Sequence, residues 1–172
     1  HLHNHSEYSL LDGAQPVAGL VRRARELEMP AVAITDHGNL FGAVKFYQEA
    51  TAAGVKPILG CEVYVAPRSR FDRAPQQIAR EKPYHHLTLL AETTEGFQNL
   101  KKLTSYAYLE GFYYRARVDK ELLGQHSAGI IALTGCLSAE VPMLLRHGRR
   151  ADARRAIDDL VGIFGRDRVF LE

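Results

Sequence analysis

No apolar run in this sequence approaches the ~20 residues that a membrane-spanning helix needs, so none is expected. Cysteine is scarce. Cys61 and Cys136 are the two present, too few for a disulfide framework, and a reducing, cytoplasmic setting is the expectation. No secretory signal is visible. The chain begins without Met and reads as cut from something longer, so that absence excludes little. A Gly-rich phosphate loop of the P-loop or dinucleotide type is missing, as are internal repeats, low-complexity tracts and an interdomain linker. Excess charge of one sign is also missing: the formal net charge is +2. That argues against a dedicated nucleic-acid-coating domain, although local basic patches can still meet phosphate. What remains is a chain of 172 residues, 46% hydrophobic and 24% charged, the composition of one globular domain with a real core.

Periodicity gives the expected organisation. After a histidine-rich opening strand, Asp12-Gly13 marks a turn and Pro16 suits the first turn of a helix. Val17, Leu20, Val21, Ala24 and Leu27 recur at helical spacing until Pro30. Ala31 to Thr35 is short, apolar and partly β-branched, the pattern of a buried parallel strand. A second helix is expected through Leu40, Phe41, Val44, Tyr47 and Ala50, with Asn39 as N-cap. Val55 to Ala66 contains a strand interrupted at Gly60-Cys61-Glu62. Strand and helix thus alternate over short connections, which predicts βα units. Residues 67–84 break the pattern with five Lys/Arg and two acids; a solvated basic loop and a phosphate-contacting one both fit. Beyond it come a strand over His85 to Ala91, a helix through Phe97, Leu100, Leu103, Thr104 and Ala107, and an aromatic stretch at Glu110 to Arg115. Its tyrosines can stack on bases or pack on the body of the fold. A short helix near Asp119 to His126, a buried strand over Gly129 to Thr134, helices capped by Ser138 and Asp152, and a last strand from Val169 complete the chain.

The chemistry concentrates at the start. In an extended segment His1, His3 and His5 point one way, and neutral imidazoles converging from one face form a metal platform to which Asp12 adds a hard oxygen. A tag remnant or a solvated terminus would also be histidine-rich. Further candidates fall at strand ends, where α/β barrels carry their working groups: Asp36, His37, Glu62 and Cys136. Singly, each has a plainer reading. Asp36 can cap a turn, Glu62 can be a surface charge and Cys136 a core thiol. A thiol hydrolase built on Cys136 is a weaker alternative.

The ordered series His3-Asn4-His5-Ser6-Glu7-Tyr8-Ser9, Leu11-Asp12-Gly13 and Thr35-Asp36-His37-Gly38-Asn39-Leu40-Phe41-Gly42 resembles the PHP (polymerase and histidinol phosphatase) superfamily. The likeness is closer to the PHP domains at the N-termini of bacterial replicative DNA polymerase III alpha subunits. Lys56 to Gly60, Ser69 to Asp72, His86 to Ala91, Tyr108 to Phe112 and Gly135-Cys136-Leu137 carry it nearly end to end. The resemblance implies a distorted (β/α)7 TIM-like barrel, incomplete here at its C-terminal end. It implies two or three divalent metal ions, zinc or manganese, with magnesium for a polymerase domain not in this chain. By motif the metal ligands fall on His3, His5, Asp12, His37, Glu62, His86 and Cys136. Asp36 is implied as a group orienting His37, and Arg70 as a phosphate contact. His86 fits awkwardly, at the start of its strand; either the preceding loop crosses the rim or the strand runs antiparallel. The family's last ligand motif, an Asp-x-His pair, is expected beyond Glu172, and the chain is accordingly read as a fragment clipped at both ends and inactive alone.

The function implied is metal-dependent phosphodiester hydrolysis, a 3′→5′ proofreading exonuclease in the complete domain, with water activated by the metals as nucleophile. DNA and other replicase subunits, a sliding clamp and an exonuclease subunit among them, are the implied partners, and no membrane. The alternatives are a non-catalytic PHP module that supports the polymerase or docks an exonuclease, and a stand-alone phosphatase of small phosphate monoesters.

Overall fold

The structure is a computed structural model that describes residues 1–73 and 83–172. In chain order the elements are α1 (Val17–Glu26), β1 (Ala31–Ile34), α2 (Ala43–Ala52), β2 (Lys56–Val65), β3 (His85–Ala91), α3 (Thr94–Leu109), β4 (Arg117–Val118), α4 (Lys120–Gln125), β5 (Ile130–Leu133), α5 (Glu140–Arg146), α6 (Arg150–Phe164), a 3₁₀ turn at Arg166–Arg168, and β6 (Val169–Phe170). Among the described residues no helix is long and apolar enough to cross a membrane.

Helix α1 follows the expected face, burying Val17, Leu20, Val21 and Ala24, with Pro16 at its N-cap. That face meets Val32 and Ile34 of β1 and Phe46 and Ala50 of α2 in one apolar core. Helix α2 departs from expectation. It buries Ala43, Phe46 and Ala50, while Phe41, Val44 and Tyr47 are 69%, 67% and 53% exposed. Two apolar stripes compete on this helix, and the one carrying Phe46 faces the sheet. Asn39 does not cap it. Gly42 holds the N-cap position, and the Asn39 side chain instead accepts the Phe41 N–H, shaping the turn before the helix.

Strand β2 runs unbroken through Gly60-Cys61-Glu62, so the expected interruption is absent. Its first half pairs in parallel with β1, from Ala31↔Lys56 to Ile34↔Leu59. Its second half pairs antiparallel with β3, from Gly60↔Leu90 to Val65↔His85, and β4 joins its far end in parallel. β3 is also antiparallel to β5, which is parallel to β6. The result is a mixed six-stranded sheet, β1-β2-β3-β5-β6 with β4 on β2. The α/β class is as expected, but repeated parallel βα units do not run throughout. A second core of Leu87, Leu89, Leu100, Leu103, Leu122, Leu123, Ile130 and Phe164 joins α3, α4 and α6 to the sheet.

The caps that form are not the ones expected. The Thr93 and Asp119 side chains accept N–H groups at the starts of α3 and α4. Ser138 does not cap α5, where Ala139 holds the N-cap without a side-chain bond. Asp152 lies inside the first turn of α6, where its charge favours the helix N-terminus.

Residues 1–5 are extended but form no ladder. They are fastened beside β1 where the Ala33 N–H donates to the His1 carbonyl at 3.0 Å and the Thr35 N–H to that of Asn4 at 2.8 Å. Between those anchors the opening segment takes three steps, His1 to Asn4, against two on the β1 side, Ala33 to Thr35. Strict strand alternation is therefore not kept, yet His3 and His5 still converge.

Candidate metal centre

The site is built around Glu62, which is 0% exposed in the middle of the sheet. Around its carboxylate stand His3 Nε2 at 3.4 Å, His5 Nε2 at 3.5 Å, His37 Nδ1 at 2.6 Å and His86 Nδ1 at 3.0 Å. Cys136 Sγ lies 3.6 Å from Glu62 Oε1 and 3.7 Å from His86 Nδ1. Five expected positions are thus gathered on a sixth. Glu62 is not at a strand end; a strand twice as long as expected carries it inward, and its backbone bridges to His37 in parallel. His86 reaches the centre because β3 runs antiparallel, so the start of β3 lies beside the far half of β2.

Three of the four imidazoles, those of His5, His3 and His37, are aimed by a contact on their other nitrogen. His5 Nδ1 lies 3.0 Å from the Thr35 carbonyl, an atom that only accepts, so Nδ1 carries the proton and Nε2 turns its lone pair to the centre. His3 Nδ1 is 2.8 Å from Glu172 Oε1, and His37 Nε2 is 2.9 Å from Asp12 Oδ2. Such outer contacts are what orient metal-binding histidines. Asp12 therefore sits on the ring nitrogen of His37 that faces away from Glu62.

The donors form two groups within which ligand atoms lie no more than 4.8 Å apart: His3, His5 and Glu62, and His37, Glu62 and His86. Glu62 belongs to both, while Asp12 and Cys136 border them. Among the described residues, the buried side-chain N and O atoms without a hydrogen-bond partner are His3 Nε2, His37 Nδ1 and Glu62 Oε2. All three point into this cluster. His37 Nδ1 and Glu62 Oε2 are close, yet their angles are not those of a hydrogen bond, as expected of donors converging on a common cation. A buried polar atom left unpaired is costly, and a shared cation is the partner this set lacks. Imidazole nitrogen, carboxylate oxygen and thiol sulfur suit zinc or a similar borderline ion, so the residues fit the metal expected here.

Electrostatics agree. Burial pushes the Glu62 carboxyl up, but the contacts with His3, His37 and His86 outweigh it and hold the group well below the usual carboxylate range. The Glu62 contact raises His3, and burial lowers His5. At His37 burial is outweighed by Glu62 and Asp12, leaving it raised. Burial raises the Cys136 thiol, so a thiolate there calls for a cation. Tyr64, stacked against His37 at 6.0 Å between ring centroids, is pushed up to about 12 by burial.

Asp36 does not touch His37 as expected. Buried at 2% exposure, its carboxylate accepts the Ser6 N–H at 2.6 Å, the Ser6 hydroxyl at 2.8 Å and the Ser9 hydroxyl at 2.8 Å. It thereby fastens the loop that presents His5 and Asp12. The Ser9 hydroxyl in turn accepts the His37 N–H at 3.1 Å. Gly13 closes this loop: a Cβ there would sit 1.8 Å from the Ser6 carbonyl oxygen, so no other residue fits. Gly135 holds φ +82 immediately before Cys136, a turn that favours glycine and sets the thiol facing His86.

Arg70 is corrected too. It is 7% exposed, with Nη1 3.0 Å from Asp119 Oδ1 and Nε 2.7 Å from Glu110 Oε2. Its Nε and Nη1 donors are taken by carboxylates, and the buried side chain is clamped in the fold instead of offered to phosphate. Of residues 67–84, those numbered 74–82 lie outside the described residues. Two participants were not singled out in the sequence. Glu172 follows a short parallel strand, the usual place for a working carboxylate. Tyr64 lies two positions after Glu62 on the same face of β2.

A family model described as the PHP domain matches residues 1–172; the chain belongs to the PHP domain family. It is 50% identical over 172 residues to a DNA polymerase III subunit alpha of Treponema pallidum, across 100% of this chain and 14% of that one. The corresponding subunit of Thermus aquaticus is 52% identical over 174 residues, across 100% of this chain and 14% of its own. That of Deinococcus radiodurans is 49% identical over 178 residues, across 100% and 13%. The chain thus spans about one seventh of the length of these curated relatives.

Proposed function

We propose that this chain is the PHP domain of a replicative DNA polymerase alpha subunit, and that its centre hydrolyses phosphodiester bonds at the 3′ end of single-stranded DNA. The observation that carries this reading is the convergence of three unpartnered buried donor atoms, His3 Nε2, His37 Nδ1 and Glu62 Oε2, on one carboxylate shared by two ligand groups. Such sharing suits two like-charged cations held close together. In this reading His3 and His5 would hold one cation and His37 and His86 another, with Glu62 common to both groups. Cys136 would add a sulfur from the rim, and Asp12, on the far ring nitrogen of His37, orients that ligand instead of joining the groups. Bound divalent ions supply Lewis acidity toward a phosphoryl oxygen and a water of lowered pKa.

The chain's own residues set the geometry. Thr35, Glu172 and Asp12 fix three ring orientations, and Asp36 holds the loop that carries two of the ligands. The burial of Glu62 keeps bulk water from loosening the cluster. The mixed sheet would form part of a distorted seven-stranded barrel whose rim carries the centre, with DNA and other replicase subunits as partners.

The test uses the full-length protein, loaded with zinc or manganese, on a single-stranded oligonucleotide labelled at its 5′ end. Stepwise loss of 3′ nucleotides, abolished in Glu62→Gln and His86→Ala while polymerisation survives, is the expected result. Unchanged hydrolysis in both variants, or hydrolysis that is indifferent to chelator, would overturn the assignment.

A further inference from the structure

Beside the metal centre runs a groove of about 370 Å³ with His37, His86 and Asp12 on its inner wall. Its outer walls are aromatic to a degree unusual for this chain: Phe41, Tyr64, Tyr84, Tyr108, Phe112 and Tyr114 all line it. Four of these rings are well exposed, Phe41 at 69%, Tyr108 at 49%, Phe112 at 53% and Tyr114 at 71%. Exposed aromatic rings clustered in one groove, with no apolar core to fill, point to a ligand with flat faces.

The rings at the outer edge are pre-positioned. Tyr114 has φ +59, a conformation costly for a bulky residue and retained where surrounding structure enforces it. The enforcement is visible. The Tyr113 N–H donates to the Arg115 carbonyl at 3.0 Å, closing a tight turn that pushes Tyr114 outward. Tyr113 packs edge-on against Tyr114 at 4.6 Å, and the buried Arg117 guanidinium lies 5.0 Å from the Tyr113 ring. Arg117 Nε also donates to the Gly111 carbonyl at 3.1 Å, anchoring the other end of the turn. Phe112 stacks with Tyr108 at 6.3 Å. Arg115, over the Tyr64 ring at 5.9 Å, adds a cation on the same wall.

We propose that this groove binds the terminal nucleotides of a single strand by stacking their bases on Phe112, Tyr114 and Phe41, which delivers the last phosphodiester to the histidine cluster. The proposal rests on the hydrolytic reading above and names its substrate contacts. A single strand fits because its unpaired bases offer π-faces to aromatic rings regardless of sequence. A duplex hides those faces. Arg115 meets the backbone charge that would lie between the stacked bases and the metal-binding residues. Continuity of the groove with His37 and His86 makes nucleic acid the occupant rather than a docked protein.

The experiment titrates the full-length, metal-free protein with a trinucleotide carrying 2-aminopurine at its 3′ end, a probe whose fluorescence falls on stacking. Quenching is expected in the parent, in Glu62→Gln and in Tyr114→Trp. Affinity is expected to fall about tenfold in each of Phe112→Ala and Tyr114→Ala, within the range of one base–aromatic stack. Both rings replaced are exposed, and circular dichroism checks that each variant folds. In a second arm, the loaded protein is given strands with a normal or an abasic 3′ terminus. The ring variants should raise KM for the first, and the variant of the ring that holds the last base should leave the second unchanged. Absent hydrolysis with quenching intact would sink the catalytic reading alone. Equal affinity of parent and ring variants would overturn the stacking site and leave the groove to a protein partner.

Discussion

Glu62 is the residue on which most of the site's energetics turn. A carboxylate at 0% exposure surrounded by imidazoles, with no lysine or arginine paired to it among the described residues, is expensive to keep without a cation. Glu62→Gln should therefore act differently on two measurements. Metal content, read by elemental analysis after dialysis, should collapse, with affinity down by more than the ~100-fold seen for lost outer contacts. Stability of the metal-free form, read by urea denaturation, should fall at pH 6, where charged His3 and His37 lose their carboxylate, and change little at pH 8. The pH dependence of the metal-free protein follows from the same contacts. His3 and His37 are raised above 6.5, so their contribution is complete below that pH and is lost as pH rises through their folded values. Glu62, depressed from 4.5, contributes above 4.5 and loses this only in stronger acid. His5, lowered from 6.5 by burial, opposes the other two histidines. Two against one, the metal-free melting temperature should be higher at pH 6 than at pH 8. With metal present the order should reverse, because metal needs neutral imidazole. A metal-free protein that melts higher at pH 8 would show that His3 and His37 are not held charged by Glu62.

At the level of elements, the loop after β2 and helix α4 are joined by one buried ion pair. Asp119 accepts Arg70 Nη1 at 3.0 Å, the Arg70 N–H at 2.8 Å, and the Leu122 N–H of its own helix at 2.9 Å. Removing the guanidinium strands a carboxylate that is itself a cap. Arg70→Ala should cost about 3–5 kcal/mol in chemical denaturation, and Arg70→Lys should recover little, since one ammonium cannot serve Asp119 and Glu110 together. Single-strand affinity of any Arg70 variant that folds should stay at the parent's value. This pair also marks where sequence reading stops. Arg70 sits in a polar, basic stretch, and its partner Asp119 lies 49 positions away; nothing local distinguishes a clamped arginine from a phosphate-seeking one. Helix α2 fails for a related reason: Phe41, Val44 and Tyr47 are as apolar as the stripe that is buried, and periodicity cannot tell a core face from a groove face. By contrast His3, His5, His37 and Cys136 were legible as donors at strand ends, and His86 only through the motif it shares with the PHP family, since its place at the start of a strand gave no sign of a ligand. Their meeting point on Glu62 was not, because it depends on the length of β2 and the antiparallel course of β3, which are settled by pairing across the sheet.

For the molecule as a whole, the centre is also a clasp. Its donors come from the opening segment, the turn after β1, the middle of β2, the start of β3 and the turn after β5, and Glu172 reaches His3 from the far end of the chain at 2.8 Å. The opening segment is not itself a strand in the sheet. Its hold on the body includes two backbone bonds to β1, the Asn4 bonds with Thr35 and Ala33, the Asp36 contacts with Ser6 and Ser9, and the imidazoles. A cation that binds these ligands only when they are assembled stabilises the fold by mass action, about 4 kcal/mol at a thousandfold excess over Kd. For a domain of this size each kcal/mol moves the melting temperature by about 2–4 °C. Chelation should therefore lower the transition assigned to this domain by roughly 8–16 °C, and readdition of zinc or manganese should restore it. Amide exchange should localise the loosening to residues 1–13 and the turn at Cys136, because β2, β3 and α3 keep their own apolar core without the metal. Uniform loosening across β2 and β3 would mean that the cation is a condition of folding, and the site could not then be emptied and refilled in the folded protein.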